Sequence, residues 1–393
     1  MAPGALIAAY QEDDLGGLRA LLPLAGRTLV EYQARCVAAA GCTPIVLLVE
    51  RIPAELAAAV ERLRGEGIAV TPVTDGNEAA SRFEAGALVL NVADGLAPDI
   101  RLVERIAAAD SAVVAVVPDD ELHERFERID GETRWAGLSL VTGQTLGSTA
   151  SMLGDWDLQS TLLRRTIQAG AARIPAGVSE PLLAERPGDL ATFQRRLLLA
   201  SRGVRRDWTS RFLLPIVEEF ATEKLMERSV PPDWLLAGAV GLLGIAAVCL
   251  SRGWLLAAAV LLLLSLPLDL VAERLAVLRL KPLRRNLLTR RLLWPLIGIA
   301  LLFAGWWASR HGSGWGAMAT ALTATGFAEA QRVERGLDDL PADGWLFSRR
   351  NAILLSLPLL VAQAPATLVS MLALYAAISF FFVQHLRHSI IRD

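Results

Sequence analysis

Lysine is nearly missing from this 393-residue chain: Lys224 and Lys281 are the only two. Histidines aside, every other basic side chain is arginine. Among long cationic side chains, only arginine is available to an anion in the first half, since no lysine precedes residue 224. The three cysteines, Cys36, Cys42 and Cys249, make no metal-ligand spacing and no disulfide framework. They read as packing residues in a reducing compartment. No basic stretch followed by an apolar run opens the chain, so no cleavable signal is expected. Acids are missing from one long stretch, with no Asp or Glu between Arg274 and Ala328. The formal net charge of −2 says little, because charge is segregated: basic residues cluster just before and between the apolar runs, which points to a membrane surface rather than nucleic acid.

What is abundant is apolar residues, at 53% of the chain, and they are unevenly placed. Residues before Trp234 read as an ordinary globular mixture; long Leu/Ala/Val runs follow. A length of about 20 apolar residues spans a bilayer as a helix, and six stretches are candidate spans, the fifth of them short: 234–251, 253–272, 291–309, 313–330, 350–364 and 366–386. The fourth is rich in small residues and is expected inside the bundle. The last two are divided only by Gln363-Ala364-Pro365, which leaves open a single broken helix.

Basic residues set the orientation. Arg202, Arg205, Arg206, Arg211, Lys224 and Arg228 precede the first span; seven basic residues from Arg274 to Arg291 fill the second loop. Arg332, Arg335, Arg349 and Arg350 fill the fourth, and Arg387 and Arg392 the tail. The first and third loops hold single arginines and the fifth none. That alternation fits six spans in the inner (cytoplasmic) membrane with both termini on the cytoplasmic side. Between the halves, Trp208–Arg228 carries Phe212, Leu213, Ile216, Val217, Phe220 and Leu225 largely on one helical face. It reads as an interfacial helix or as one packed on the soluble domain. The expected domains are 1–200, a linker helix at 201–232, and a membrane domain at 233–393.

In the first half, apolar runs alternate with helical patterns: Ala5–Ala9, Pro44–Val49, Ala69–Val73, Ala87–Val92 and Ala112–Val117 as strands, with helices near Thr28–Ala40, Pro53–Arg64 and Pro98–Ala108. This is the pattern of an α/β domain with a mostly parallel sheet, Rossmann-like in kind. Ligands of such sheets bind at the carboxyl ends of strands, which points to the loop after Ala9 and to Asp94.

Ala5-Leu6-Ile7-Ala8-Ala9, followed by Leu21-Leu22-Pro23-Leu24-Ala25-Gly26-Arg27, resembles the opening of the sugar-nucleotide-type nucleotidyltransferases, with a GT-A type fold, over about residues 4–180. The resemblance implies a Gly-rich triphosphate loop, a lysine, and a metal-binding aspartate at Asp94, with Asp155 and Asp157 as candidate second ligands. The chain departs from it with Tyr10-Gln11-Glu12-Asp13-Asp14-Leu15-Gly16-Gly17, where three carboxylates stand in place of a phosphate cradle. Arg19 is the candidate substitute for the lysine.

The order of parts resembles the CDP-alcohol phosphotransferases, above all the fused enzymes that make a CDP-inositol and condense it with inositol phosphate. That family carries D-x-x-D-G-x-x-A-R and then G-x-x-x-D-x-x-x-D, four carboxylates that hold two divalent cations, Mg²⁺ or Mn²⁺. Aligned on Leu275-Ala276, Asp269 takes the first aspartate, while Ala272, Arg290 and Trp294 replace the other three. Asp269 and Glu273, one turn apart, are the remaining catalytic or metal candidates; an ion-paired network is the other reading. Arg284, Arg285 and Arg290 are candidates for a phosphate or an anionic lipid, against plain orientation signals. Two functions compete. One is a catalytically degenerate partner, scaffold or ligand sensor in phospholipid or phospho-alcohol synthesis, as a homodimer or beside an active paralogue. The other is an active phosphotransferase taking a CDP-alcohol or nucleotide at an unusual metal site. A transporter-like bundle is disfavoured, since the spans show no internal repeat.

Overall fold

A computed structural model describes residues 3–152, 157–178, 180–201, 207–226, 228, 230–280, 288–335 and 343–390. The chain divides into two compact units, Met1–Ser201 with Leu278–Lys281, and Arg202–Val277 with Pro282–Asp393.

The first unit is built on a seven-stranded sheet: β1 (Gly4–Ala8), β2 (Ile45–Leu48), β3 (Val70–Val73), β4 (Leu88–Val92), β5 (Val113–Pro118), β6 (Thr133–Thr142) and β7 (Ala172–Pro175). Its order is β7-β5-β6-β4-β1-β2-β3. β1 pairs parallel with β2 and β4, β2 with β3, and β5 with β7. β6 alone runs antiparallel, between β4 and β5. The fully buried β1, Gly-Ala-Leu-Ile-Ala, is what a central strand covered on both faces requires. Helices α1 (Leu29–Ala39), α2 (Ala54–Gly65), α3 (Gly76–Ser81), α4 (Ile100–Ala107), α5 (Gly143–Ala150), α6 (Leu158–Gln168) and α7 (Leu190–Ala200) complete the unit. Caps written in the sequence start several of them. The Thr28 N–H and hydroxyl both donate to Glu31, and Asp99 and Asp157 accept the N–H groups of Arg101 and Gln159. The predicted α/β fold with a parallel-dominated sheet is observed. Alternation of strand and helix did not disclose β6 or β7, because β6 is an antiparallel insertion that breaks that rhythm.

The second unit is helical: α8 (Pro215–Met226), α9 (Pro232–Ser251), α10 (Leu255–Ser265), α11 (Leu268–Leu278), α12 (Leu288–Ala308), α13 (Gly314–Arg335), α14 (Arg349–Val361) and α15 (Pro365–Ile390). Four continuous stretches among the described residues are long and apolar enough to cross a membrane: Pro232–Ser251, Leu255–Leu278, Arg291–Arg335 and Pro365–His388. The third is divided by a kink at His311 and Gly312, whose backbone leaves helical geometry. α14 has 13 residues, and Gln363, at φ 56°, turns the chain into α15. α9 packs on α10 and α12, α13 on α12 and α15, and α10 on α14. Gly305 lets α12 approach α13 closely: a Cβ there would sit 2.5 Å from that of Ala321.

One expectation changes. α13 is not enclosed by the bundle: Ala317, Ala321, Ala324 and Ala328 are buried, but Trp315 and Leu322 on other faces are exposed. Small side chains let one face pack tightly without obliging the rest to be covered. The segment before α9 begins as a π-helical turn, Thr209–Leu213, before α8. Phe212, Ile216 and Phe220 are exposed there, while Leu214, Glu218, Thr222 and Met226 are buried. Glu218 turns inward because Arg274 of α11 waits 3.2 Å away.

Candidate functional site

In the first unit the carboxyl ends of β1 and β4 bring together the loop after β1 and Asp94. Two buried glutamines fix the turn that carries Asp94. The Gln33 amide donates to Ala93 O and Leu96 O at 3.3 and 2.7 Å. The Gln159 amide donates to Asn91 Oδ1 and Val92 O, and its oxygen accepts from Asp94 N at 3.2 Å. Gly95, at φ 68°, turns the chain directly afterwards, where a Cβ would meet Ala184 O at 2.5 Å. The Asp94 carboxylate so placed reaches back across the sheet end, and its Oδ2 accepts the N–H groups of Tyr10 and Gln11, each at 2.6 Å. Its Oδ1 is buried without a hydrogen-bond partner. Burial pushes the Asp94 carboxyl up to about 6, against the opposing pull of the Gln11 and Tyr10 N–H groups and of Arg19.

The loop itself is closed by its own groups. Asp13 Oδ1 accepts from Leu15 N and Gly17 N at 2.9 and 2.8 Å, and Asp13 N and Arg19 N donate to Gly17 O and Gln11 O. Glu12 pairs with Arg51, and Asp14 with Arg186, each at 2.5 Å. Carboxylates thus fill donor positions that a phosphate loop offers to its ligand. Arg19 is spent locally: Nη1 donates to Gln11 Oε1 at 2.8 Å and Nε to Glu12 O at 3.1 Å, with Glu185 3.8 Å away. Asp157 caps α6 and accepts the Tyr10 hydroxyl at 2.6 Å, and burial followed by the charge of Asp157 raises that phenol's pKa. Asp155 lies outside the described residues. Among the described residues no three of His, Cys, Asp and Glu come together to hold a metal. A divalent cation implied at Asp94 does not fit this arrangement: one Asp94 oxygen is saturated by N–H groups, and Asp157, which lines the same cavity, is already held by the Tyr10 and Ser160 hydroxyls and the Gln159 N–H.

In the second unit, Asp269 on the first turn of α11 is 7% exposed. Its Oδ2 accepts from Arg350 Nη2 at 2.6 Å, and Arg349 Nη2 lies 2.6 Å from the same oxygen. Arg350 Nη1 reaches Asp207 Oδ2 at 2.7 Å, so one guanidinium bridges two carboxylates. The next residue, Asn351, extends the junction, its Oδ1 accepting from the Thr209 backbone and hydroxyl at 3.1 and 2.8 Å. Glu273 lies one turn past Asp269, half-buried. A metal at Asp269 would have to displace two cations, so the Mg²⁺ or Mn²⁺ that the family resemblance implies does not fit here either. Arg284 and Arg285 lie outside the described residues; Arg290 belongs to the first turn of α12, its side chain outside the description.

No family model matches the chain. No curated protein matches it either. Among solved structures, it is similar to the inositol-1-phosphate CTP transferase from T. maritima, at 13% identity over 52% of this chain and 98% of that one, with a TM-score of 0.42. It is also similar to a candidate glucose-1-phosphate thymidylyltransferase from Bacillus anthracis, solved with a sucrose, at 11% identity over 49% and 94% of the two chains and a TM-score of 0.41.

Sequence reasoning missed the partners that decide both places. Gln33 and Gln159 are ordinary helix residues until the fold buries them, and Arg349 and Arg350 read only as orientation charges. Asp207 carried no signal at all. The i, i+2 and i, i+4 spacing of Asp13 to Leu15 and Gly17 is an Asx-turn pattern that could have been read.

Proposed function

We propose that the chain is a membrane-anchored relative of the nucleotidyltransferases whose phosphate and metal chemistry is gone, and that it acts as a partner, scaffold or ligand sensor in phospholipid or phospho-alcohol synthesis. The observation that carries this reading is the Asp269 junction. The carboxylate left at the place of a metal cluster is neutralised by Arg349 and bridged through Arg350 to Asp207. The loop after β1, filled by Asp13 and Asp94, supports it from the other unit. In this reading the helices from α9 to α15 make six spans, α10 and α11 together forming one, and basic loop residues hold both termini in the cytoplasm. α8 and the π-helical turn before it lie at the cytoplasmic leaflet, with Phe212, Ile216 and Phe220 toward lipid. A second copy or an active paralogue is the partner. Turnover of a CDP-alcohol would require Arg349 and Arg350 to leave Asp269, which strands buried charge.

The test is Mg²⁺- or Mn²⁺-dependent binding of a CDP-alcohol and of CTP to the purified, detergent-solubilised chain. No metal-dependent binding to folded protein is expected. Binding that requires metal and disappears in Asp269→Asn would overturn the reading.

A further inference from the structure

A cavity of about 320 Å³ opens beside Asp94 in the first unit, lined in part by Arg19, Arg125, Phe126, Glu127, Trp135 and Glu185. Asp157 and Ser160, at the start of α6, line it as well. Its charges are not balanced in what they leave available. Arg19 is engaged by Gln11, the Glu12 carbonyl and Glu185. Arg125 is held at 2.6 Å by Asp189, which stands outside the lining. The carboxylates are met more weakly. Glu127 accepts the Ser160 hydroxyl at 2.8 Å and has Arg164 only at 3.9 Å. Asp157 accepts the Tyr10 and Ser160 hydroxyls and the Gln159 N–H, all neutral donors. Asp94, 3% exposed, lines the cavity with its Oδ1 buried and outside any hydrogen bond, though the Gly95 N–H also pulls on the carboxylate. Phe126 and Trp135, both nearly buried, add aromatic walls. The Trp135 indole N–H is already given to Leu138 O, so the ring has no donor left for an anion.

A cavity of this size is at the small end for organic ligands, about 300–1,000 Å³. Engaged guanidiniums, carboxylates in excess of arginines and met mainly by neutral donors, and aromatic walls repel a triphosphate and attract a cation. A bare divalent metal is poorly served, since among the described residues no three ligand side chains converge. We propose that this cavity binds a small organic ammonium ion, a primary or quaternary amine, with its charge on Asp94, Asp157 and Glu127 and its carbon groups against Phe126 and Trp135. This deepens the ligand-sensor reading and rests on the loss of phosphate chemistry in the same unit.

The test is isothermal titration calorimetry on the full chain in detergent, in an amine-free buffer at fixed ionic strength. Tetramethylammonium and ethanolamine are the probes; Mg²⁺ alone, myo-inositol and CTP with Mg²⁺ are the comparisons. Saturable binding of at least one ammonium probe is expected, weakened about tenfold or more by Asp94→Asn and by Glu127→Gln. Glu127 is partly exposed, so its variant keeps the test valid should the other fail to fold. No saturable ammonium binding up to about 10 mM, a millimolar limit that already marks weak affinity, would overturn the proposal. Binding unchanged in both variants, or binding only of Mg²⁺ or inositol, would overturn it too. Those results leave the non-catalytic reading standing, whereas tight CTP binding with Mg²⁺ would bring down both.

Discussion

Replacing Asp94 by asparagine should make the α/β unit more stable at neutral pH. Its carboxyl is shifted from the ordinary 3.8 to about 6. At 1.36 kcal/mol per pH unit that corresponds to about 3 kcal/mol between the two protonation states. The sign follows from linkage. A carboxyl with a raised native pKa favours its protonated form when folded, so its stabilising contribution is complete below about pH 4. It is lost as the pH rises through about 6, because the unfolded chain gives up its proton first. At pH 7.5 the native state therefore holds a poorly solvated carboxylate whose Oδ1 has no partner. An asparagine oxygen can still accept from Tyr10 and Gln11, more weakly than a carboxylate, and its amide N–H inherits the empty position. With that offset the expected gain is about 1–3 kcal/mol at pH 7.5 and near zero at pH 4.5. The assay is hydrogen exchange read by mass spectrometry on the full chain, following peptides from β1 and β4 at both pH values with intrinsic rates corrected. Lower protection in Asp94→Asn at pH 7.5, or an unchanged pH slope, would refute the reasoning. So would a stabilisation of the wild type by Mg²⁺ that the variant lacks.

Arg350→Ala strands Asp207, leaves Asp269 with Arg349 alone, and is expected to cost about 3–5 kcal/mol, seen as a lower unfolding temperature in detergent. Adding Asp207→Asn should recover part of that, and a loss under about 1 kcal/mol would show that the bridge contributes little. Gly305→Leu drives a side chain into Ala321 and the Ala317 carbonyl and should destabilise the α12–α13 packing by about 1–3 kcal/mol, again read from thermal unfolding. Asp13→Ala frees Leu15 N and Gly17 N; exchange of residues 11–18 should quicken by about 1 kcal/mol of local protection, while the strands stay unchanged.

Much of this protein is fixed by pattern alone. Apolar runs separated by helical periods dictate an α/β sheet, because a strand covered on both faces must be apolar throughout, as β1 is. Long runs without charge dictate helices that suit a bilayer. Absences were as informative: without lysine before Lys224, and without acid from Arg274 to Ala328, neither phosphate nor metal chemistry has its usual side chains. The sequence also isolated Asp94 and Asp269 as the acids worth following. What each acid does was beyond it, because that depends on groups far away in the chain. Asp94 meets N–H groups 83 and 84 residues earlier. Asp269 meets Arg350, 81 residues later, which in turn reaches Asp207. A carboxylate's chemistry is set within a few ångströms by charge, donors and water, and only the tertiary structure decides which of these arrive.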